Sequence, residues 1–99
     1  MHRGVDLSAP KGTPVHATAD GVVVSAGRSG AFGRMVEIDH GNGWRTRFAH
    51  LRRIRVDEGD SVRRGRVIGT IGKSGNATGY HLHYEVLRNG RHVDPVQTF

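Results

Sequence analysis

Apolar residues in this chain come in short runs, alternating or continuous, that are broken repeatedly by glycine. No stretch holds a 3.6-residue period long enough for a helix, so the pattern predicts strands almost throughout. A weakly alternating strand at 15–18 ends on Asp20-Gly21, a turn signal. Residues 22–26 are β-branched and continuous, which predicts a strand buried on both faces. Residues 34–40 alternate, with Met35, Glu37 and Asp39 on one face and Val36, Ile38 and His40 on the other. Asn42-Gly43 supplies the two positive-φ positions of a tight hairpin. Residues 44–50 then return as the partner strand, with Thr46, Phe48 and His50 facing one way and Arg45, Arg47 and Ala49 the other. Glu58-Gly59-Asp60 and Arg64-Gly65 bracket a short segment before an apolar strand at 67–71. Residues 73–79 read as a polar loop, 80–87 as the last long strand, and Asn89-Gly90 as its closing turn.

Residues 17–27 and 56–72 echo each other, and both look like the glycine-turned strands of lipoyl- and biotinyl-carrier domains. The expected fold is therefore mainly β: a compact antiparallel sandwich or barrel of similar hammerhead units with almost no helix. Ninety-nine residues suit one core, and 15 glycines with 3 prolines suit an all-β chain rich in turns.

Composition narrows the chemistry. There is no cysteine, which excludes disulfides and thiolate metal sites and leaves His, Asp and Glu as the good ligands. No run approaches the roughly 20 apolar residues of a membrane span. Fifteen Lys and Arg against nine Asp and Glu give a net charge of +6, which favours an anionic partner such as nucleic acid, an acidic envelope polymer or anionic lipid. The basic residues are scattered, without the interleaved aromatics of a nucleic-acid face, so no nucleic-acid partner is expected. The seven histidines are the unusual feature, and their positions decide their meaning.

His81 and His83 lie two apart in a predicted strand, so both imidazoles leave the same face. Such a pair can share a metal, or one ring can bind metal while the other works on its water; the bland alternative is two half-exposed strand histidines. Glu85 points the same way and could support the pair as a partner, although a solvated or structural role is the favoured reading. His2 and Asp6 can converge on one ion because Gly4 between them lets the backbone bend. With His83 they form two imidazoles and a carboxylate, a hydrolytic zinc set with a fourth position open for water. His50, structural if it stood alone, gains meaning beside such a site, where a non-ligating imidazole can move a proton or steady an oxyanion.

The order H-x-G-x-D at 2–6, A-H-L at 49–51 and H-L-H-Y-E at 81–85 resembles the lysostaphin/LytM-type zinc endopeptidase family. The text between these motifs follows the family's order and spacing, so the resemblance covers essentially the whole chain. It implies one zinc held by His2, Asp6 and His83, with His50 and His81 as the two non-ligand catalytic histidines in either division of labour. It implies a fold of the duplicated-hybrid-motif type, peptidoglycan cross-links as substrate, and action in the bacterial cell envelope. Acidic wall polymers are a further partner consistent with the charge. Departures are Phe48 where many members have Tyr and Tyr80 where many have Pro. Family domains also carry a strand and a loop upstream of H-x-G-x-D, so residues 1–99 are expected to be a single catalytic domain missing that strand and loop.

The other histidines take structural readings: His16 packed or exposed on a strand, His40 ordering the Asn-Gly hairpin, and His92 solvated. Two rival functions are weighed against the enzyme. A catalytically silent domain that regulates other wall hydrolases is disfavoured because all five site positions are intact. A lipoyl or biotinyl carrier needs a lysine at a hairpin tip, and neither Lys11 nor Lys73 has that context.

Overall fold

The β-rich reading holds in the computed structural model, which describes residues 4–95. The strands are β1 (Val5–Ser8), β2 (Pro14–His16), β3 (Gly21–Arg28), β4 (Arg34–Gly41), β5 (Trp44–Ile54), β6 (Ser61–Val62), β7 (Val67–Ile71), β8 (His81–Arg88) and β9 (Arg91–Val93). A turn of 3-10 helix, Gly30–Phe32, joins β3 to β4. All pairings are antiparallel, and the strands form one sheet with the path β1-β8-β5-β4-β3-β6. From this path β7 and β2 branch off β5, and β9 branches off β8. The sheet is not closed into a barrel. The weak strand at the chain start and the short β9 lie outside the sequence expectation, since neither carries a run long enough to show a period.

The hairpin forms where Asn42-Gly43 allows it, with φ of 53° and 82° at the two positions. β5 is the hub. Its first half pairs with β4 and β8, and its second half, from Leu51 on, pairs with β7. One strand thus serves two parts of the sheet, and side chains from both parts meet in one core. Val23, Val36, Ile38, Phe48, Leu51, Ile68 and Val86 are buried there.

The two echoed segments meet each other. Ala17 N–H donates to Arg66 and its carbonyl accepts from Gly65, while Val23 N–H donates to Asp60 and its carbonyl accepts from Gly59. The same two-bond clasp is thus made at both crossings, as expected of similar hammerhead units.

Two burial expectations are corrected. β3 is not buried on both faces: Val23 is buried, but Val22 is 43% exposed. Near its start β3 is flanked only by β4 and the two-residue β6, too little to cover its outer face. β4, by contrast, is buried on both faces from Met35 to Ile38 despite its alternation. The reason is an ionic cover: Glu37 accepts from Arg45 at 2.9 Å and from Arg47 at 2.7 Å. His40 bonds Thr46 through Nε2, across the Asn-Gly hairpin from β4 to β5, and the Asp20 carbonyl through Nδ1, so it ties that hairpin to the Asp20-Gly21 turn.

A pair of substitutions separates the structural reading of burial from the run-of-apolars reading. Ile38→Ala should destabilise the fold by about 2–5 kcal/mol. Val22→Ala, from a run that looks equally apolar, should change stability by no more than about 0.5 kcal/mol. Denaturant unfolding of both variants gives the comparison, and equal losses would contradict it.

Candidate active site

β1 lies against β8 with Asp6 directly opposite His83 and Ser8 opposite His81. On the other flank of β8, Ala49 of β5 stands opposite His83. His81, His83 and Glu85 share one face of β8, while Leu82, Tyr84 and Val86 turn into the core. Gly4 is required by crowding: a Cβ there would come within 2.5 Å of the Tyr84 carbonyl and 3.0 Å of the His83 ring. The glycine therefore lets the chain lie close against β8 beside His83. His2 lies outside the described residues.

His83 is held from two sides. Nδ1 is 2.7 Å from Asp6 Oδ1 and Nε2 is 2.8 Å from Glu85 Oε2. Glu85 is not solvated: it is a partner of His83, the less favoured of its sequence readings. Its side chain is 4% exposed, and its carboxylate also accepts from Arg47 and His92, each at 3.2 Å. Burial pushes the Glu85 carboxyl up, but bonds from His83, His92 and Arg47 outweigh it and hold the pKa below the ordinary carboxylate value. Burial likewise works against a charged His83, yet the bonds to Asp6 and Glu85 prevail and raise its pKa. His92 is corrected by the same network. Pairing of β9 with β8 carries it to Glu85, where it is half-buried rather than solvated.

His50 reaches this face against the alternation rule. A regular pleat would send it to the core with Thr46 and Phe48. Between β4 and β5, however, Val36 pairs with Phe48 and Arg34 pairs with Leu51. Two steps on β4 therefore match three on β5, which is a bulge at Ala49-His50. His50 takes φ 62°, Leu51 resumes the core face, and the imidazole turns toward β8. Its ring centroid lies 4.8 Å from that of His81 and 6.1 Å from that of His83.

Ser74 fixes this turn, and sequence reasoning passed over it as part of a polar loop. His50 Nδ1 donates to the Ser74 carbonyl at 2.7 Å, and Ser74 Oγ donates to the Leu51 carbonyl and accepts from Arg34 N–H. The loop is seated on the turn before β4, where a Cβ on Gly33 (φ 67°) would collide with the backbone of Ser74 and Gly75. His81 is arranged in the same way, its Nδ1 donating to the Gly79 carbonyl at 3.0 Å. Because carbonyls only accept, both rings carry the proton on Nδ1 and present an Nε2 lone pair. His81 Nε2 is 3.6 Å from Asp6 Oδ1. Phe32 stacks beside His83 at 6.3 Å and borders the cluster.

Among the described residues no three His, Asp or Glu side chains form a metal cage. The pair that is present suits a metal nonetheless. Glu85, buried and acceptor-only, retains the His83 Nε2 proton and so frees Nδ1 toward Asp6. Two ligands of a tetrahedral zinc stand about 3.3 Å apart. Asp6, with its side chain 66% exposed, has room to open from 2.7 Å to that spacing.

Comparison with known proteins places the chain. Residues 1–95 match the description Peptidase family M23. The chain belongs to that family. It is 47% identical over 94 residues to the peptidoglycan DD-endopeptidase ShyC of Vibrio cholerae, covering 95% of this chain and 22% of that protein. Its fold superposes on a zinc-containing peptidase from Vibrio cholerae with TM-score 0.94 at 39% identity, covering 99% of this chain and 30% of the other. The catalytic domain of lysostaphin from Staphylococcus simulans gives TM-score 0.90 at 35% identity, covering 97% and 77%. The motif resemblance to lysostaphin-type enzymes is thus matched by whole-chain likeness. The chain spans about a fifth of the length of the curated relative.

The left-handed backbone at His50 gives a stability test independent of activity. Glycine normally destabilises a strand relative to alanine. At this position the order should invert, with His50→Gly more stable than His50→Ala by about 1 kcal/mol, because alanine keeps the positive-φ strain. Denaturant melts of the two variants decide it, and a more stable alanine variant would contradict the bulge.

Proposed function

We propose that this chain is a zinc-dependent endopeptidase domain that hydrolyses peptide cross-links of bacterial peptidoglycan. The observation that carries the reading is the convergence of the Asp6–His83 pair with two imidazoles, His50 and His81, whose free nitrogens are both Nε2. The names of ShyC and of the zinc-containing peptidase support the substrate and the metal. Action on that polymer puts the protein in the cell envelope. Among the described residues no helix is long and apolar enough to cross a membrane.

His83 Nδ1 and Asp6, with His2, would hold the zinc. When bound, such an ion supplies a Lewis acid for the scissile carbonyl and an acidified water. The chain's own histidines manage protons. An Nε2 lone pair on His50 or His81 accepts a proton from the attacking water, and the resulting imidazolium can return it to the departing amine. The second imidazole, once protonated, donates to the tetrahedral oxyanion. Both rings are held by Nδ1 bonds to backbone carbonyls, which fixes tautomer and direction before substrate arrives.

Digestion of purified sacculi by the zinc-loaded chain, with mass spectrometry of the released muropeptides, tests the activity. His83→Ala should lose zinc. His50→Ala and His81→Ala should keep stoichiometric zinc and lose about 10²–10⁴-fold in rate. Loss of zinc in His81→Ala would exchange the ligand and base assignments. An intact zinc-loaded chain that releases nothing would leave the regulatory reading in its place.

The pH dependence has a definite sign. In metal-free protein the raised His83 pKa contributes stability that is full below the ordinary histidine value of about 6.5 and is lost as pH rises through the raised value. Zinc needs the neutral ring, so it should stabilise more as pH rises across the same window. Melting temperatures with zinc and with chelator should therefore diverge as pH rises, and parallel curves would contradict the assignment of His83.

A further inference from the structure

Among the described Lys and Arg residues only two are ion-paired, and five others gather round one pocket. Arg45 and Arg47 are matched to Glu37, Asp39 and Glu85. Lys11, Arg28, Arg34, Arg52 and Lys73 instead surround one pocket of about 300 Å³ that no acidic residue lines. None of the five has a carboxylate within ion-pair distance among the described residues. Lys73 rests over the Tyr80 ring at 5.0 Å. Arg34 is half-buried, and a partly desolvated guanidinium without an anion is unfavourable until one arrives.

The pocket shares its wall with the segments that hold His50 and His81. Leu51 and Ser74 line it, one following His50 in the chain and the other holding its ring. Gly72 and Tyr80 line it as well, one bridged to His81 and the other preceding it. A peptide lying across His50 and His81 thus has a cationic pocket beside it. We propose that this pocket is a subsite for a carboxylate of the peptide substrate, held by Arg34 and Arg52 with the remaining cations supplying field. The assignment rests on the endopeptidase reading for the identity of the substrate. Peptide stems of the wall offer three sources of that chemistry: the terminal carboxylate, the free carboxylate of the branching diamino acid and that of the γ-linked glutamate. Guanidinium–carboxylate contacts can be bidentate, which would orient the peptide as well as attract it.

The test is a binding measurement separate from cleavage. Calorimetric titration uses a synthetic stem tetrapeptide with diaminopimelate at the branch, prepared as the free acid, as the C-terminal amide, as the branch amide and as the glutamate amide. The free acid should bind about ten-fold tighter than one of the three amides, and that amide identifies which carboxylate enters. In Arg34→Gln/Arg52→Gln the preference should fall to about two-fold or less, with zinc content unchanged. Arg63→Gln/Arg64→Gln, which removes the same charge elsewhere, should retain it. The proposal is overturned if the wild type binds the acid and all three amides equally, or if the two double variants lose the preference alike. It is also overturned if poly(glycerol phosphate) displaces the peptide at lower concentration than the free acid does, since the pocket would then serve a wall polymer. Cleavage of a cross-linked dimer is scored separately. No cleavage with the binding preference intact would defeat the endopeptidase reading and leave the carboxylate subsite standing.

Discussion

One extra residue in β5 decides what this surface can do. Were the pleat regular, His50 would follow Thr46 and Phe48 into the core, and the face of β8 would carry only its own histidines. The Ala49-His50 bulge turns the ring outward and returns Leu51 to the core within a single step. It also marks where β5 leaves β4 and β8 for β7, so the corner of the sheet and the arrival of the His50 ring beside His81 are the same event. A left-handed histidine costs on the order of 1–2 kcal/mol. The Ser74 clamp, which satisfies the His50 ring, the Leu51 carbonyl and the Arg34 N–H together, holds the strained conformation in place.

Beside the histidines, on the same face of the sheet, lies a charged network. Glu37 and Glu85 are buried, bridged by Arg47, and Glu85 is shared with His83 and His92. Buried ion networks add little net stability compared with a well-packed apolar replacement, although removing one member is costly. The return here is directional. Glu85 fixes one ring nitrogen of His83 and thereby leaves the other for Asp6, the arrangement that a metal-binding imidazole needs. On the proposed zinc site, that orientation of His83 is what the burial of Glu85 provides.

Much of this was legible in the sequence, for identifiable reasons. Alternation, the Asn42-Gly43 hairpin and the clasped repeats follow from local chemistry, which survives into the fold. The shared face of His81 and His83 follows from the two-residue period alone. Asp6 could be named as a companion, though its station opposite His83 depends on the β1–β8 register, which four short residues do not declare. The side of the sheet on which His50 lies was not legible, because the alternation rule assumes no bulge and a positive φ at a non-glycine leaves no mark in composition. Glu85 and His92 were misjudged for a related reason. Their burial comes from β9 folding over β8 and from Arg47 crossing between strands, contacts between segments that no window along the chain contains.

The electrostatic layout gives the site a direction. Asp6 and Glu85 lie on the β1–β8 side of the histidine cluster, while five cations with no ion pair among the described residues gather on the side of residues 72–75. His50 and His81 lie between these poles, each anchored through a carbonyl of the 73–79 loop. That loop therefore has two duties: it holds both rings with the same nitrogen outward, and it forms a wall of the cationic pocket. A displacement of Ser74 would move an imidazole and a subsite wall together. The tight seating against Gly33, where not even a methyl group fits, is the physical reason that the two duties stay in register.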